Sequence, residues 1–188
     1  MGAVVIDVSI SLDGYMAAPN DTPGQGLGED GMRLHNWMFD DPTIFERIYG
    51  DLTKTTGAVI IGRRTYDNAI PEWGGSGPLG DDVPCFVITH SPPASAPPVF
   101  EFVTDGIESA LAKAQAAAGD KAIGVMGGNV ATQFLEAGLV DDLRIHIVNV
   151  LLGDGRRLFG TLPRRVELEQ TGVSETDGVT HVEYRVVR

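Results

Sequence analysis

Apolar and polar positions along this chain switch repeatedly between a period of two and a period near 3.6, the periods of strands and helices. Residues 3–11 (AVVIDVSIS) are rich in β-branched side chains with Asp7 and Ser9 interleaved, which predicts a mostly buried strand. The text that follows, SLDGYMAAPNDTPGQGLGEDG, loses periodicity and gains glycine. Residues 17–31 are expected to form a lid, because aperiodic loops of this length inside compact domains are usually functional or disordered. Residues 32–39 (MRLHNWMF) lead to a helix start with Asp41 as N-cap and Pro42 at the first helical position. Ile44, Phe45, Ile48, Tyr49 and Leu52 then recur at helical spacing to about Thr53.

Short apolar strands are predicted at 57–62, 84–89 and 99–103. Arg63-Arg64-Thr65-Tyr66 opens a short helix that Pro71 ends, and an Ala-rich helix covers 106–118 with Asp105 as its cap. AIGVM is a further strand, after which Gly127-Gly128 opens a helix that Gly138 closes. Beyond Asp141 the pattern is strand only: a long one from Leu143 to Leu152, then 166–174 and 179–187, paired as a hairpin through Thr176-Asp177-Gly178. The order β, lid, α, β, α, β, β, α, β, α, β, β, β predicts an α/β fold. Its sheet is mainly parallel, flanked by helices on both faces, with a C-terminal antiparallel hairpin, in a single domain over residues 1–188.

Composition narrows the function more than the fold. With 188 residues, 43% hydrophobic and 21% charged, the chain can bury a full core without staples. Its one cysteine, Cys85, lies in the apolar run PCFVIT and reads as a small buried hydrophobe. A formal net charge of −12 argues against nucleic-acid and anionic-membrane partners, which need a basic face. It leaves room for an anionic small molecule held by a local cluster of arginine and backbone N–H groups. The N-terminus has no basic leader region and no apolar run is long enough to span a bilayer, so a cytoplasmic protein is expected. No cysteine or histidine pair has metal-ligand spacing, and no metal is expected.

Parallel α/β sheets bind ligands at the carboxyl ends of their strands. Three predicted strands end in ligand-type groups: Gly62-Arg63-Arg64-Thr65, Thr89-His90-Ser91 and Gly127-Gly128-Asn129. Paired glycines before a helix let the backbone approach an anion, and the first helical N–H groups point at it. His35, beside the lid and just before Trp37, is a candidate for lining a substrate pocket. Trp37, Phe39 and Trp73 are candidates for an aromatic wall or for core packing. His146 and His181, in apolar strands, read as satisfied structural histidines, and Asp13-Gly14 reads as a turn.

The motifs SLDGYMA, GRRTY, ITHS and MGGNVATQFLEAGLVDDL, in this order, resemble the dihydrofolate reductase-like superfamily. They are most similar to the branch containing the reductase domain of the riboflavin-biosynthesis deaminase-reductase. The resemblance implies NADPH as cofactor, a small-molecule substrate and a homodimer, with the strand from Leu143 to Leu152 and the hairpin as interface candidates. It assigns Gly62, Arg63, Arg64 and Thr65 to the cofactor phosphates, where an arginine fork suits the 2′-phosphate. Thr89, His90 and Ser91 fall on the adenosine side, and Gly127, Gly128, Asn129, Val130 and Ala131 on the pyrophosphate turn. Ala17 would offer backbone groups to the nicotinamide carboxamide, and Asp13 would lie near the reaction centre as the catalytic candidate, with the proton coming from Asp13 or from water. The implied activity is hydride transfer to a small flat pterin- or pyrimidine-like heterocycle. The alternative is a nucleotide-binding or regulatory protein on the same fold. Two departures bear on the substrate: the first-helix text HNWMFDDPTIF places Asp40 and Asp41 as caps rather than facing a pterin, and TYDNAIPEW lacks the paired aspartates of the riboflavin branch.

Overall fold

The computed structural model describes residues 2–187. Its centre is an eight-stranded sheet in the order β5-β4-β3-β6-β1-β7-β10-β9. In chain order the strands are β1 (Val4–Ser11), β2 (Tyr15–Ala17), β3 (Thr56–Gly62), β4 (Cys85–Ile88), β5 (Phe100–Val103), β6 (Ala122–Met126), β7 (Asp142–Val148), β8 (Arg156–Arg157), β9 (Leu168–Thr176) and β10 (Val179–Val186). β5 through β7 in sheet order are all parallel, and β10 and β9 add the antiparallel edge. The short β2 and β8 pair with each other outside the main sheet. The helices are α1 (Asn36–Phe39), α2 (Pro42–Thr55), α3 (Arg63–Ala69), α4 (Ile107–Ala118) and α5 (Gly128–Glu136). The predicted fold class stands. Among the described residues no helix is long and apolar enough to cross a membrane.

The period of two sorts the sheet into two faces. Val4, Ile6, Ala58, Ile60, Ile123, Val125, Leu143 and Ile145 point to one side. There they pack under α4 and α5 with Ala110, Ala114, Ala131 and Phe134. Val59, Ile61, Cys85 and Val87 point to the other, against Tyr66 of α3 and Phe100. Cys85 is fully buried, as expected, and burial pushes its thiol well above the ordinary range. On this second face β1 and β7 carry polar groups, since the partners of Val4, Ile6, Leu143 and Ile145 in the alternation are Asp7, Ser9, Arg144 and His146. The sheet therefore has an apolar side and a side that changes from apolar to polar toward β10.

Three local expectations change. β7 ends at Val148, where Asn149 N–H turns to the Gly178 carbonyl. Val150 and Leu152 leave the sheet to pack with Leu34 and Trp37. The cap of α4 is Gly106, at φ 104°, rather than Asp105, because only glycine enters that conformation freely. The first hairpin strand runs two residues later than predicted, while the second begins at Val179 as predicted, and they turn at Asp177-Gly178 with Gly178 at φ 73°. Asp41 caps α2 as expected, its Oδ1 accepting from Thr43 N–H at 2.8 Å and Ile44 N–H at 3.3 Å.

Candidate functional site

The carboxyl ends of β3, β4 and β6 open onto one continuous cleft of about 1450 Å³. That volume exceeds the usual range for a single drug-sized ligand, so it can hold a dinucleotide and a second flat molecule side by side.

At the end of β6, Gly127 adopts φ 96° and α5 begins at Gly128. The first intrahelical bond is donated by Ala131 N–H to the Gly127 carbonyl, at 2.9 Å, so the N–H groups before it have no partner in the helix. Both glycines are also required by packing. A Cβ on Gly127 would stand 2.6 Å from Thr65 Oγ1, and one on Gly128 would stand 2.7 Å from the Arg157 carbonyl oxygen. The turn is thus a bare backbone cradle at a helix N-terminus, and it fits the pyrophosphate of a dinucleotide.

At the end of β3, Arg63 Nε donates to Asp67 at 2.8 Å, and its Nη1 donates to the Ser91 carbonyl, which ties the β3 and β4 turns together. Arg64 reaches back to the lid instead. Its Nε and Nη2 donate to the Asp21 carboxylate at 2.9 and 3.0 Å. Arg156 of β8 approaches the same carboxylate at 2.7 and 3.1 Å, and Asn68 Nδ2 at 3.0 Å. Burial raises the Asp21 pKa, but the hydrogen bonds and charges of Arg64 and Arg156 outweigh it and hold the carboxyl at about 2. The loop at 17–31 is therefore docked. Further backbone bonds fix it, from Ala18 to Leu27, from Glu29 to Pro19 and from Gly24 to Asn68.

The far end of the cleft lies over the polar half of the sheet. Trp37 Nε1 donates to Ser9 Oγ at 3.2 Å and to the Leu34 carbonyl at 3.1 Å. Its ring lies 5.0 Å from that of His146 and 4.8 Å from that of His181. His35 is half-buried, and its Nδ1 is shut off from solvent with no partner among the described residues. Burial, aided by His146, pulls its pKa from 6.5 to about 4, so the ring is neutral at physiological pH. The helix α2 turns Phe45, Ile48, Tyr49 and Leu52 into the cleft as an apolar wall.

Of the residues expected from sequence, Ala17, His35, Trp37, Gly62, Arg63, Arg64, Thr65, Thr89, His90, Ser91, Gly127, Gly128, Asn129 and Val130 all line this cleft. Two do not. Ala131 is fully buried in the core under α5, because the side chain one turn into the helix points at the sheet. Asp13 is not part of the cleft lining. Its oxygens accept from Ser11 Oγ at 2.5 Å, Leu152 N–H at 3.1 Å and Gly153 N–H at 2.7 Å, and the Ser11 bond foremost holds its pKa low. It brackets the β1 turn to the segment after β7. Phe39 and Trp73 also reach the cleft, and Trp73 stacks on Phe100 at 6.4 Å. Sequence reasoning missed Asp7, Asp21, Arg144 and Arg156 as cleft residues and took His146 as purely structural. For Asp7, Arg144 and His146 the signal was present, since alternation in VIDVSIS and LRIHIV sends these side chains to one face. No local signal marks Asp21 or Arg156, which meet across 135 positions.

Comparisons with known proteins bear on the fold and the family. The family model of the RibD C-terminal domain matches residues 3–182. Two Bacillus subtilis proteins, the uncharacterized YwjB and YyaP, are each 25% identical to the chain over 96% of its length and 95% and 93% of theirs. Among solved structures, a provisionally named riboflavin biosynthesis protein of Shewanella sp. PV-4 superposes with a TM-score of 0.78 at 22% identity over the whole of both chains. The Thermotoga maritima diaminohydroxyphosphoribosylaminopyrimidine deaminase/5-amino-6-(5-phosphoribosylamino)uracil reductase gives 0.68 at 18% identity, covering 99% of this chain and 57% of that one. Dihydrofolate reductase of Enterococcus faecalis, complexed with NADP(H), gives 0.64 at 15% identity over 100% and 98%. The structural likenesses show a shared fold, and the family match shows kinship: this chain belongs to the RibD C-terminal domain family.

Proposed function

We propose that the protein is an NADPH-dependent oxidoreductase that transfers hydride to a small flat heterocycle of pterin or pyrimidine type. The observation that carries this is the continuity of the cleft, which joins the glycine cradle, the arginine turn after β3 and the Thr89–Ser91 turn to an aromatic, partly polar chamber under α1 and α2. In this reading Gly127, Gly128, Asn129 and Val130 hold the pyrophosphate through backbone N–H groups. Thr89, His90 and Ser91 line the adenosine side, and Arg63 and Arg64 meet the 2′-phosphate. Arg64 already spends Nε and Nη2 on Asp21, which leaves Nη1 for a phosphate oxygen. Ala17 presents its backbone to the carboxamide, and His35 and Trp37 border the acceptor. Bound NADPH supplies the hydride; the protein orients the acceptor and keeps water out with the 17–31 loop.

A second reading, nucleotide binding without reduction, draws on one feature: no carboxylate of α2 lines the cleft, whose wall there is Phe45, Ile48, Tyr49 and Leu52. Titration with NADPH, followed by cofactor fluorescence, and then oxidation assays with pterins, pyrimidines and quinone-like acceptors separate the two. The oxidoreductase reading expects binding and turnover. Binding with no turnover across the panel favours the second, and no binding at millimolar cofactor overturns both. Joint replacement of Arg63 and Arg64 by alanine should weaken NADPH far more than NADH; equal loss would remove the 2′-phosphate assignment.

A further inference from the structure

We propose that Asp7 delivers the proton that accompanies hydride transfer, with His146 as the residue that positions it and His181 and Thr176 as the residues that set the His146 tautomer; this rests on the reductase reading above.

The basis is a hydrogen-bonded row that crosses four neighbouring strands, β1, β7, β10 and β9. Asp7 Oδ1 and His146 Nε2 are 2.9 Å apart, His146 Nδ1 and His181 Nδ1 2.7 Å, and His181 Nε2 and Thr176 Oγ1 2.8 Å. The backbone register builds the row: on β1 and β7 Asp7 is level with Arg144 and Ser9 with His146, and His146 is level with His181 on β10. Asp7 and His146 line the cleft.

Counting donors leaves one arrangement while both rings are neutral. Oδ1 only accepts, so His146 carries its proton on Nε2 and its Nδ1 accepts. His181 must then donate from Nδ1 and accept at Nε2, and Thr176 donates its hydroxyl. Every bond in the row points at Asp7. The surroundings favour a neutral His181 ring. Burial first, then the nearby His146 and Arg47 of α2, depress the His181 pKa, against the pull of Asp7. Arg144 of β7 stands 3.8 Å from Asp7 Oδ2. From the 3-10 turn and α1 the row is faced by neutral His35 and by Trp37, and from β1 by Ser9. Among the described residues Oδ2 has no closer partner than Arg144, so it is the oxygen left for a ligand.

Reduction of a C=N bond takes a hydride at carbon and a proton at nitrogen. The carbon accepts the hydride from bound NADPH, the π pair moves to nitrogen, and nitrogen takes the proton from Asp7 Oδ2. The products are NADP⁺, the saturated C–N bond and the Asp7 carboxylate. The His146 Nε2–H already aimed at Oδ1 stabilises that carboxylate, and water reloads the acid after product release. No histidine changes tautomer in the cycle.

The test compares two acceptors. A 7,8-dihydropterin needs hydride and proton, whereas N-methylacridinium, a flat cation, needs hydride alone. Wild-type turnover of the dihydropterin should fall with rising pH through one ionisation that the acridinium reaction lacks. Asp7→Asn should lower the dihydropterin rate on the order of a hundredfold more than the acridinium rate, the usual scale of general acid catalysis. His146→Leu should lower the dihydropterin rate while sparing the acridinium rate, and His146→Gln, which keeps an N–H donor, should restore it. Independently of activity, ¹⁵N NMR should find the proton on Nε2 of His146 and on Nδ1 of His181. The opposite tautomers, equal loss of both acceptors in Asp7→Asn, identical pH profiles, or a wild type that reduces only the acridinium would each overturn the role of Asp7 and leave the reductase reading standing. NADPH binding with reduction of neither acceptor would overturn both.

Discussion

Burial moves His35 far from its ordinary ionisation. Its folded pKa of about 4 lies below the unfolded value of 6.5, so the unfolded chain binds more protons between the two. The stabilisation from a neutral His35 is complete above pH 6.5 and is lost as pH falls toward 4. Unfolding free energy should be about 2 kcal/mol lower at pH 5 than at pH 8 on this account, and His35→Phe should flatten the slope; urea titrations at the two pH values measure it. Gly128 makes a second residue-level prediction. An alanine Cβ there would meet the carbonyl oxygens of Arg157 and Leu158 at 2.7 and 2.9 Å, both backbone atoms that cannot swing away. Gly128→Ala should cost about 1–3 kcal/mol of stability and weaken NADPH binding together. A variant of unchanged melting temperature would show that β8 yields. The residues that sequence alone placed in the cleft are those tied to a local motif, as in GRRT and MGGN. Asp13 shows the converse. Its motif is intact, but its carboxylate is engaged by Ser11 and by two N–H groups of the segment after β7 and does not line the cleft, and nothing in SLDGYMA encodes the two donors from that segment.

At the level of elements, the lid depends on one carboxylate. Asp21 receives two arginines and an asparagine from α3 and β8 and is itself nearly buried. Asp21→Asn should destabilise the protein by about 1–2 kcal/mol and should speed proteolytic cleavage within residues 18–30 well beyond the global effect. The wild-type contribution is full above the ordinary aspartate value of 3.8 and is lost as pH falls toward about 2. Cleavage at the wild-type rate would mean that the backbone bonds of the loop suffice. Strands and helices were legible wherever burial and period coincide, as in β1, β3 and α5. β7 was overread because its apolar run continues past Val148: Val150 and Leu152 serve a separate cluster around Leu34 and Trp37, and periodicity records that a residue is buried without recording against what. The stripe on α2 was read correctly as helical, yet its apolar face lines a cleft instead of a core.

For the whole molecule, cofactor binding and folding are linked. A ligand held only by the folded chain at a hundred times its dissociation constant raises unfolding free energy by about 2.7 kcal/mol. In a domain of this size that is a rise of roughly 5–10 °C in melting temperature. NADPH should produce it, NADH at equal concentration should produce less, and the Arg63/Arg64 double alanine variant should bring the two together. A thermal scan in which neither cofactor moves the transition would remove the dinucleotide site.

The two ends of the cleft are built by different strands. The arginine turn, the Thr89–Ser91 turn and the glycine cradle follow β3, β4 and β6, while the polar floor under Trp37 belongs to β1, β7 and β10. Side chains of that floor alternate with core residues along each strand, so a substitution at Arg144 or His146 leaves Leu143 and Ile145 in place. The scaffold is therefore divisible: under the proposed function, mutation of the floor would redraw which acceptor is reduced, or how its proton arrives, without disturbing the proposed dinucleotide site. Relatives with this fold can diverge in substrate while remaining alike at the GRRT and MGGN turns, and a library confined to the floor positions would explore that divergence at little risk to folding.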